Sequence, residues 1–207
     1  MTENLSTKIA GNRTVGDWKA QRDQLSQGAT VELWEETYVK FLKTRLYTRY
    51  LGPIDWLKDQ TNGEGFTIVS IQCALIEFLA ALKVGKNYRF PQNGEQLSAH
   101  EYSKSKELFC DFLSSSEPFK EWFVSEDVAV DFYANVRCGL LHEARTKGGW
   151  KIKASGDVAI DYDKKVVYRK QLDDAIREYL CNYKEKLKSD PDLQAAFIRK
   201  FNHLCDL

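Results

Sequence analysis

Hydrophobic residues recur at three- and four-residue steps along most of the chain, which is the spacing of one face of an α-helix. The segment 31–50 shows this spacing through six large side chains: Leu33, Trp34, Tyr38, Phe41, Leu42 and Leu46. Thr30 precedes the segment and is a suitable N-cap. Pro53 predicts that this helix ends near Gly52, because a proline disfavours helical backbone at the residue before it.

The most apolar segment runs from Phe66 to Val84 and predicts a buried central helix that ends near Gly85. Glu77, Lys83 and several neutral polar residues interrupt it, so it fails the rule of roughly 18 uncharged apolar residues for a membrane span. Ser125 is a suitable N-cap for a later helix. The remaining predicted helices cover residues 103–113, 126–142, 171–188 and 191–205.

The pattern changes between residues 149 and 169, where short β-branched stretches alternate with polar residues. This alternation predicts a small antiparallel hairpin or a three-stranded meander. Residues 1–28 are polar and contain scattered glycines, which predicts a loosely held N-terminal arm with a short helix near Asp17 to Leu25. The sequence therefore predicts one mainly α domain over residues 29–207 with a β insertion at about 149–169.

Composition narrows the possible functions. The 207 residues are 43% hydrophobic, enough for a core, and 30 Lys and Arg balance 30 Asp and Glu. Zero net charge argues against a generally cationic nucleic-acid binder but leaves room for a local basic site. The five cysteines are widely spaced without a CxxC pair, so we expect no metal site. The N-terminus has no apolar signal core, which favours a cytoplasmic protein without membrane association.

One of the three histidines stands in a distinctive context. His100 lies in a polar loop and His203 near the C-terminus, whereas His142 follows Arg137 by five positions in the stretch NVRCGLLHEAR. This stretch resembles the HEPN superfamily, whose signature is an Arg followed by four to six residues and a His. An apolar pair before the His, an acid after it and a Lys-Gly-Gly-Trp turn also match. The resemblance covers roughly residues 66–188 and implies a HEPN-like antiparallel helical bundle with a small β-hairpin inserted after the motif helix.

The resemblance implies a function as well as a fold. HEPN ribonucleases cleave RNA without a metal or another cofactor, leave 2′,3′-cyclic phosphate ends, and share a cleft between two protomers. By that resemblance Arg137 and His142 are the candidate catalytic residues of a homodimeric defence or toxin ribonuclease, with an antitoxin or other protein as a possible partner. Cys138 departs from the family, since RNA-cutting members usually carry Asn, Asp or His after the Arg. The alternative is a catalytically silent HEPN-like module that binds RNA, a nucleotide or a protein.

Helical geometry adds candidate supporting residues. At 100° per residue, Asp131, Asn135 and Cys138 share a wedge of about 60° with His142. This narrow polar wedge is either a solvated face or a site.

The same geometry separates the two motif residues. Arg137 lies about 140° from His142 on an ideal helix. The long arginine stem, a loosened helix after Gly139 or a two-fold dimer would each resolve this separation. The opposing interpretation is that Arg137 pairs with an acid such as Glu143 or Asp131 while His142 is polar surface. Glu77, an acid on the most apolar helix, is either structural or orients Arg137.

A basic and aromatic stretch follows the motif. Cations hold phosphates and aromatic rings stack on bases. The candidate RNA-binding residues are Arg145, Lys147, Trp150, Lys151 and Lys153. The alternative is an ordinary solvated hairpin, since lysines on edge strands also discourage aggregation.

Overall fold

The computed structural model describes residues 4–26, 28–60 and 63–206, and the chain is 63% helical. The mainly α prediction is therefore confirmed. Within the described ranges the longer helices are α1 (Val15–Ser26), α2 (31–58), α3 (Glu64–Val84), α4 (Ser105–Ser115), α5 (126–143), α6 (Arg169–Leu187) and α7 (Pro191–Leu204). A short 3₁₀ turn covers Phe119–Glu121. The strands are β1 (Lys8–Ala10), β2 (Arg13–Thr14), β3 (Asn87–Tyr88), β4 (Glu101–Tyr102), β5 (Lys151–Lys153), β6 (Ile160–Asp161) and β7 (Val166–Tyr168).

Side-chain caps define the starts of three helices. Thr30, Ser125 and Asp190 each accept a hydrogen bond from the backbone N–H three residues later. Such a cap satisfies one of the N–H groups that a helix start leaves unpaired. Thr30 and Ser125 are the capping residues that the sequence suggests.

Helix α2 continues past Pro53, so the predicted break at Gly52 is wrong. A π turn over Tyr47–Leu51 immediately precedes the helical residues Gly52–Lys58. Proline lacks an N–H and its ring crowds the carbonyl four residues earlier. The wider π turn, whose hydrogen bonds span five residues, gives the ring room without ending the helix.

The β insertion forms a three-stranded sheet in the order β5-β7-β6. Strands β6 and β7 form the predicted antiparallel hairpin, with Ile160 opposite Val167. Strand β5 instead pairs with β7 in parallel, with Lys151 opposite Val166. In a meander every pair of neighbouring strands is antiparallel, so the predicted three-stranded meander is wrong. The central strand is β7.

The chain divides into two compact units. The terminal unit comprises the described residues of Met1–Pro53, Ala81–Ser103 and Asn182–Leu207, and the motif unit comprises those of Ile54–Ala80 and Lys104–Cys181. The predicted boundary after residue 28 does not separate them.

Residues near the N-terminus are part of the terminal unit's core rather than a loosely held arm. Trp18 is 0% exposed, and its ring centroid lies 5.2 Å from that of Phe41 and 5.1 Å from that of Phe201. Its indole N–H donates to Asn202 at 2.9 Å. Burial of this large ring against the C-terminal helix fixes α1 in place. Residues 1–3 and 27 of the predicted arm lie outside the described ranges.

The motif unit has its own aromatic core. Phe132 on α5 packs against Phe109, Phe123 and Trp150, with ring centroids 5.2 to 6.3 Å apart. These contacts join α5 to α4 on one side and to the segment before β5 on the other. The core therefore holds the motif helix and the β insertion together.

Helix α3 is long and apolar enough to cross a membrane by length and composition, contrary to the expectation from its polar residues. It is the one such helix among the described residues, and over half of its most apolar window is buried within the protein. A buried core helix passes the same test.

Candidate functional site

Arg137 forms an ion pair with Glu77. The Nη2 atom of Arg137, on α5, donates to Oε2 of Glu77, on α3, at 2.6 Å. Both side chains are largely buried, at 17% and 18% exposure. Arg137 thus pairs with an acid, but the acid is Glu77 rather than Glu143 or Asp131.

A π turn surrounds Arg137 and widens the motif helix. It covers Tyr133–Arg137 and is followed by the α-helical residues Cys138–Glu143. Within it the guanidinium of Arg137 lies 5.3 Å from the centre of the Tyr133 ring, and Nη1 donates weakly to Sγ of Cys138 at 3.9 Å. The Tyr133 hydroxyl is 3.0 Å from the hydroxyl of Ser105. Single π turns within α-helices are frequent at functional sites.

The electrostatics of this cluster keep Arg137 charged. Burial lowers the pKa of Arg137, but the hydrogen bond and charge of Glu77 outweigh burial and hold that pKa above its ordinary value. Burial raises the pKa of the Tyr133 hydroxyl and raises the pKa of the nearby Cys73 thiol to about 12. Arg137 is therefore a fixed cation beside a neutral phenol and a neutral thiol at neutral pH.

His142 lies in the last turn of α5, apart from the Arg137 cluster. Its side chain is exposed, and in the described part of the chain no hydrogen bond or ion pair reaches its imidazole. Its neighbour Leu141 is also exposed, at 61%. No hydrogen bond or ion pair among the described residues joins His142 to Arg137 within the chain.

The chain reverses sharply after the motif helix. Ala144 adopts a left-handed conformation, with φ of 53°, and ends α5. The returning segment passes close over Gly139, where an added Cβ would lie 2.5 Å from the carbonyl oxygen of Arg145. It then donates from the N–H of Lys147 to the carbonyl of Asn135 at 2.8 Å. Gly139 therefore permits the close approach that lays the basic segment over the motif helix.

Asp131 organises the contact between the motif helix and the β insertion. Its carboxylate accepts hydrogen bonds from the Trp150 indole at 2.7 Å, the Lys165 ammonium at 2.8 Å and the Asn135 amide at 2.9 Å. Lys165 also lies 3.6 Å from the centre of the Tyr162 ring. Burial raises the pKa of Asp131, but the hydrogen bonds from Lys165 and Trp150 outweigh burial and lower it overall.

Trp150 does not present a stacking surface, contrary to the sequence prediction. It is 3% exposed, and its ring packs against Phe132 at a centroid distance of 5.6 Å. A base would have to displace these core contacts before it could stack on the ring. Trp150 therefore anchors the β insertion.

The remaining basic candidates fall into two groups. Arg145 and Lys147 both form ion pairs with Glu143, at 3.2 Å and 3.1 Å, which offsets part of their charge. Lys151 and Lys153 are exposed on β5, and neither forms an ion pair with another described residue. The free positive charge near the motif therefore lies on β5.

Sequence reasoning left the role of Glu77 open and did not identify Tyr133 or Lys165 as parts of the site. Tyr133 precedes Arg137 by four positions, a spacing that places helical side chains together, so this contact had a sequence signal. The contacts of Lys165 depend on the fold of the β insertion, and no sequence signal indicated them. Among the described residues, no three His, Cys, Asp or Glu side chains are grouped as metal ligands.

No protein-family model, curated protein or solved structure matches the chain. The function is therefore argued from these residues and their geometry.

Proposed function

We propose that the chain is a metal-independent endoribonuclease of the HEPN type that acts as a two-fold homodimer. The observation that carries this proposal is His142: an exposed imidazole that has no polar partner among the described residues, at the end of a π-widened helix beside exposed Leu141. Two such helices at a dimer axis would bring two imidazoles to one cleft.

The chemistry requires two proton transfers. A base removes the proton of a ribose 2′-hydroxyl, the 2′ oxygen attacks the adjacent phosphorus, and an acid protonates the departing 5′ oxygen. The products are a 2′,3′-cyclic phosphate and a 5′-hydroxyl. His142 of one protomer and its symmetry mate suit these roles, because an imidazole can accept or donate a proton and is the side chain that most often serves as a general acid or base.

Arg137 would stabilise the phosphate charge in this mechanism. A guanidinium carries five N–H donors. The ion pair with Glu77 engages Nη2, and Nη1 makes only the weak contact with Cys138. Donors therefore remain for a phosphate, while Glu77 holds the group in one orientation.

The second candidate is a catalytically silent HEPN-like module that binds RNA, a nucleotide or a protein. Two observations favour it. The positive charge of Arg137 is already offset by the ion pair with Glu77, and Cys138 offers only a weakly hydrogen-bonding thiol.

A cleavage assay separates the two candidates. Purified protein is incubated with end-labelled single-stranded RNA in EDTA, and the ends are tested for cyclic phosphate. Cleavage that persists in EDTA and disappears in His142→Ala supports the ribonuclease. The matched control is His203→Ala, which lies in α7 of the terminal unit. Absence of cleavage together with retained RNA binding supports the silent module.

A further inference from the structure

A cavity of about 300 Å³ in the motif unit is lined by residues that follow β5 and by the first residues of α6. Its charged lining residues are Lys58, Arg169 and Lys170, with Asp59 as the one acid. Ser155 adds a hydroxyl. The volume lies at the lower end of the range typical of small-molecule sites. None of these residues belongs to the Arg137 or His142 surroundings.

Buried acids that do not line the cavity fix two of its three cations. The ammonium of Lys58 lies 2.5 Å from the carboxylate of Asp173, which is 0% exposed. The Nη2 atom of Arg169 lies 2.6 Å from the carboxylate of Glu64, which is largely buried. Both cations are therefore held in place before any ligand arrives, which lowers the entropy cost of binding. The same acids, together with Asp55 at 3.2 Å from the ammonium of Lys58, offset part of the positive charge.

Two polar side chains at the cavity, and one buried guanidinium nitrogen beside it, have no partner among the described residues. The Nη1 atom of Arg169 is buried without a hydrogen bond. The ammonium of Lys170 and the hydroxyl of Ser155 are exposed, and neither bonds to another described group. The backbone N–H of Lys170 donates to the carbonyl of Ala154 at 3.1 Å. A buried donor without a partner calls for an explanation such as a ligand or an ordered water. The cavity also lies at the amino end of α6, a 19-residue helix whose dipole favours negative charge there.

We propose that this cavity binds the phosphate group of a small phosphomonoester, either inorganic phosphate or a nucleoside monophosphate. Phosphate oxygens accept hydrogen bonds from guanidinium, ammonium and hydroxyl donors, all of which line the cavity. The carboxylate of Asp59 opposes the phosphate electrostatically, but it is able to accept a hydrogen bond from a sugar hydroxyl. This proposal does not depend on the ribonuclease activity.

The test is calorimetric titration of the full chain with inorganic phosphate, with adenosine 5′-monophosphate, and with a short single-stranded RNA that has no terminal phosphate. We expect saturable binding of one or both small ligands. Lys170→Glu should weaken it by about tenfold or more, since the change replaces a charged hydrogen-bond donor with an anion. Ser155→Ala should give a smaller loss.

The control is Lys106→Glu, because Lys106 is likewise the exposed second residue of a helix, α4, but does not line the cavity. It should leave binding unchanged. If circular dichroism shows that Lys170→Glu does not fold, Lys170→Gln takes its place with the same expectation.

Tighter binding of the nucleotide than of phosphate assigns the site to a nucleoside monophosphate, and equal binding assigns it to phosphate itself. The proposal is overturned if neither small ligand binds saturably at millimolar concentration, or if Lys170→Glu binds as wild type does. It is also overturned if only the RNA binds, which would make the cavity a backbone contact for nucleic acid.

Discussion

The guanidinium of Arg137 and the carboxylate of Glu77, 60 positions apart in the sequence, meet at 2.6 Å between α5 and α3. The ion pair is largely shielded from water. Removing either partner therefore leaves a poorly solvated charge, which lowers the stability of the folded protein more than the loss of a surface ion pair does. The pair thus joins the folding of the motif helix to that of the apolar helix α3.

A double-mutant cycle should detect this coupling. We expect Glu77→Gln and Arg137→Gln each to lower the free energy of unfolding by about 1–3 kcal/mol, with a coupling energy of about 1–2 kcal/mol. Urea denaturation at neutral pH measures all three variants. The control cycle is the more exposed pair Glu185 and Lys188, for which we expect less than about 1 kcal/mol. Equal coupling in the two cycles would contradict the special role of the Arg137 pair.

Loss of the catalytic groups should abolish cleavage without unfolding the chain. If the protein cuts RNA, His142→Ala should lower the rate by at least about 100-fold, the smaller end of the effect of acid–base catalysis, and Arg137→Ala by a similar factor through loss of phosphate stabilisation. His100→Ala and His203→Ala should retain the wild-type rate. Single-turnover cleavage in EDTA is the measurement. Activity that survives His142→Ala would exclude this site.

Dimerisation should depend on the exposed end of the motif helix. The proposed interface should bury more than roughly 1,000 Å², and Leu141→Glu would place a charge within it. We expect wild type to sediment as a dimer at micromolar concentration and Leu141→Glu to shift toward monomer, with parallel loss of cleavage. The control, Phe90→Glu, changes an even more exposed apolar residue in the terminal unit. A monomeric wild type would refute the shared cleft.

Features set by neighbours in the sequence were predictable, whereas features set by distant partners were not. The caps Thr30 and Ser125 act within three residues, so the local pattern sufficed to place them. Trp18 shows the limit: its surroundings are polar in sequence, but Asn202 and Phe201 bury it from the other end of the chain. A loosely held arm was the natural interpretation without that contact.

The candidate site shows the same division. The motif positions and the acid at Glu77 were visible in the sequence, but which acid Arg137 contacts depends on how α3 and α5 pack. Trp150 had the composition of a stacking residue, and only the fold shows that Asp131 and Phe132 enclose it. The π turn at Tyr133–Arg137 has no simple sequence signal, and it changes the angular relation that an ideal helix implies.

Asp131 should make the acid limb of the stability curve steeper. Its pKa is lower in the folded protein than its ordinary value, so it contributes stability above its unfolded pKa of about 3.9. That contribution disappears as pH falls through the lower folded pKa. We expect Asp131→Asn to lower the free energy of unfolding by about 1–3 kcal/mol at pH 7 and by progressively less below about pH 4.

Denaturation of wild type and variant across this pH range measures the difference. The control is Asp163→Asn, at an exposed turn residue, which should change the free energy of unfolding little at any pH. A loss of stability in Asp131→Asn that does not change with pH would contradict the lowered pKa of Asp131.

Cys138 decides between an impaired ribonuclease and a silent module. Its half-buried thiol receives only a 3.9 Å contact from Nη1 of Arg137. An asparagine has a similar volume and offers a carbonyl acceptor, and a hydrogen bond to a charged group contributes about 1.5–3 kcal/mol. If this contact orients Arg137, Cys138→Asn should raise the cleavage rate by up to about 10- to 100-fold, since each 1.4 kcal/mol is a factor of ten. The control Cys138→Ala removes the thiol without adding an acceptor and should not raise the rate.

Melting temperature and cleavage rate are measured for wild type, Cys138→Asn and Cys138→Ala. If Asn lowers the melting temperature by several degrees without a gain in rate, and Ala is benign, then Cys138 is a packing residue, because an unsatisfied amide is costly where a thiol packs well. That outcome would favour the silent binding module over the ribonuclease.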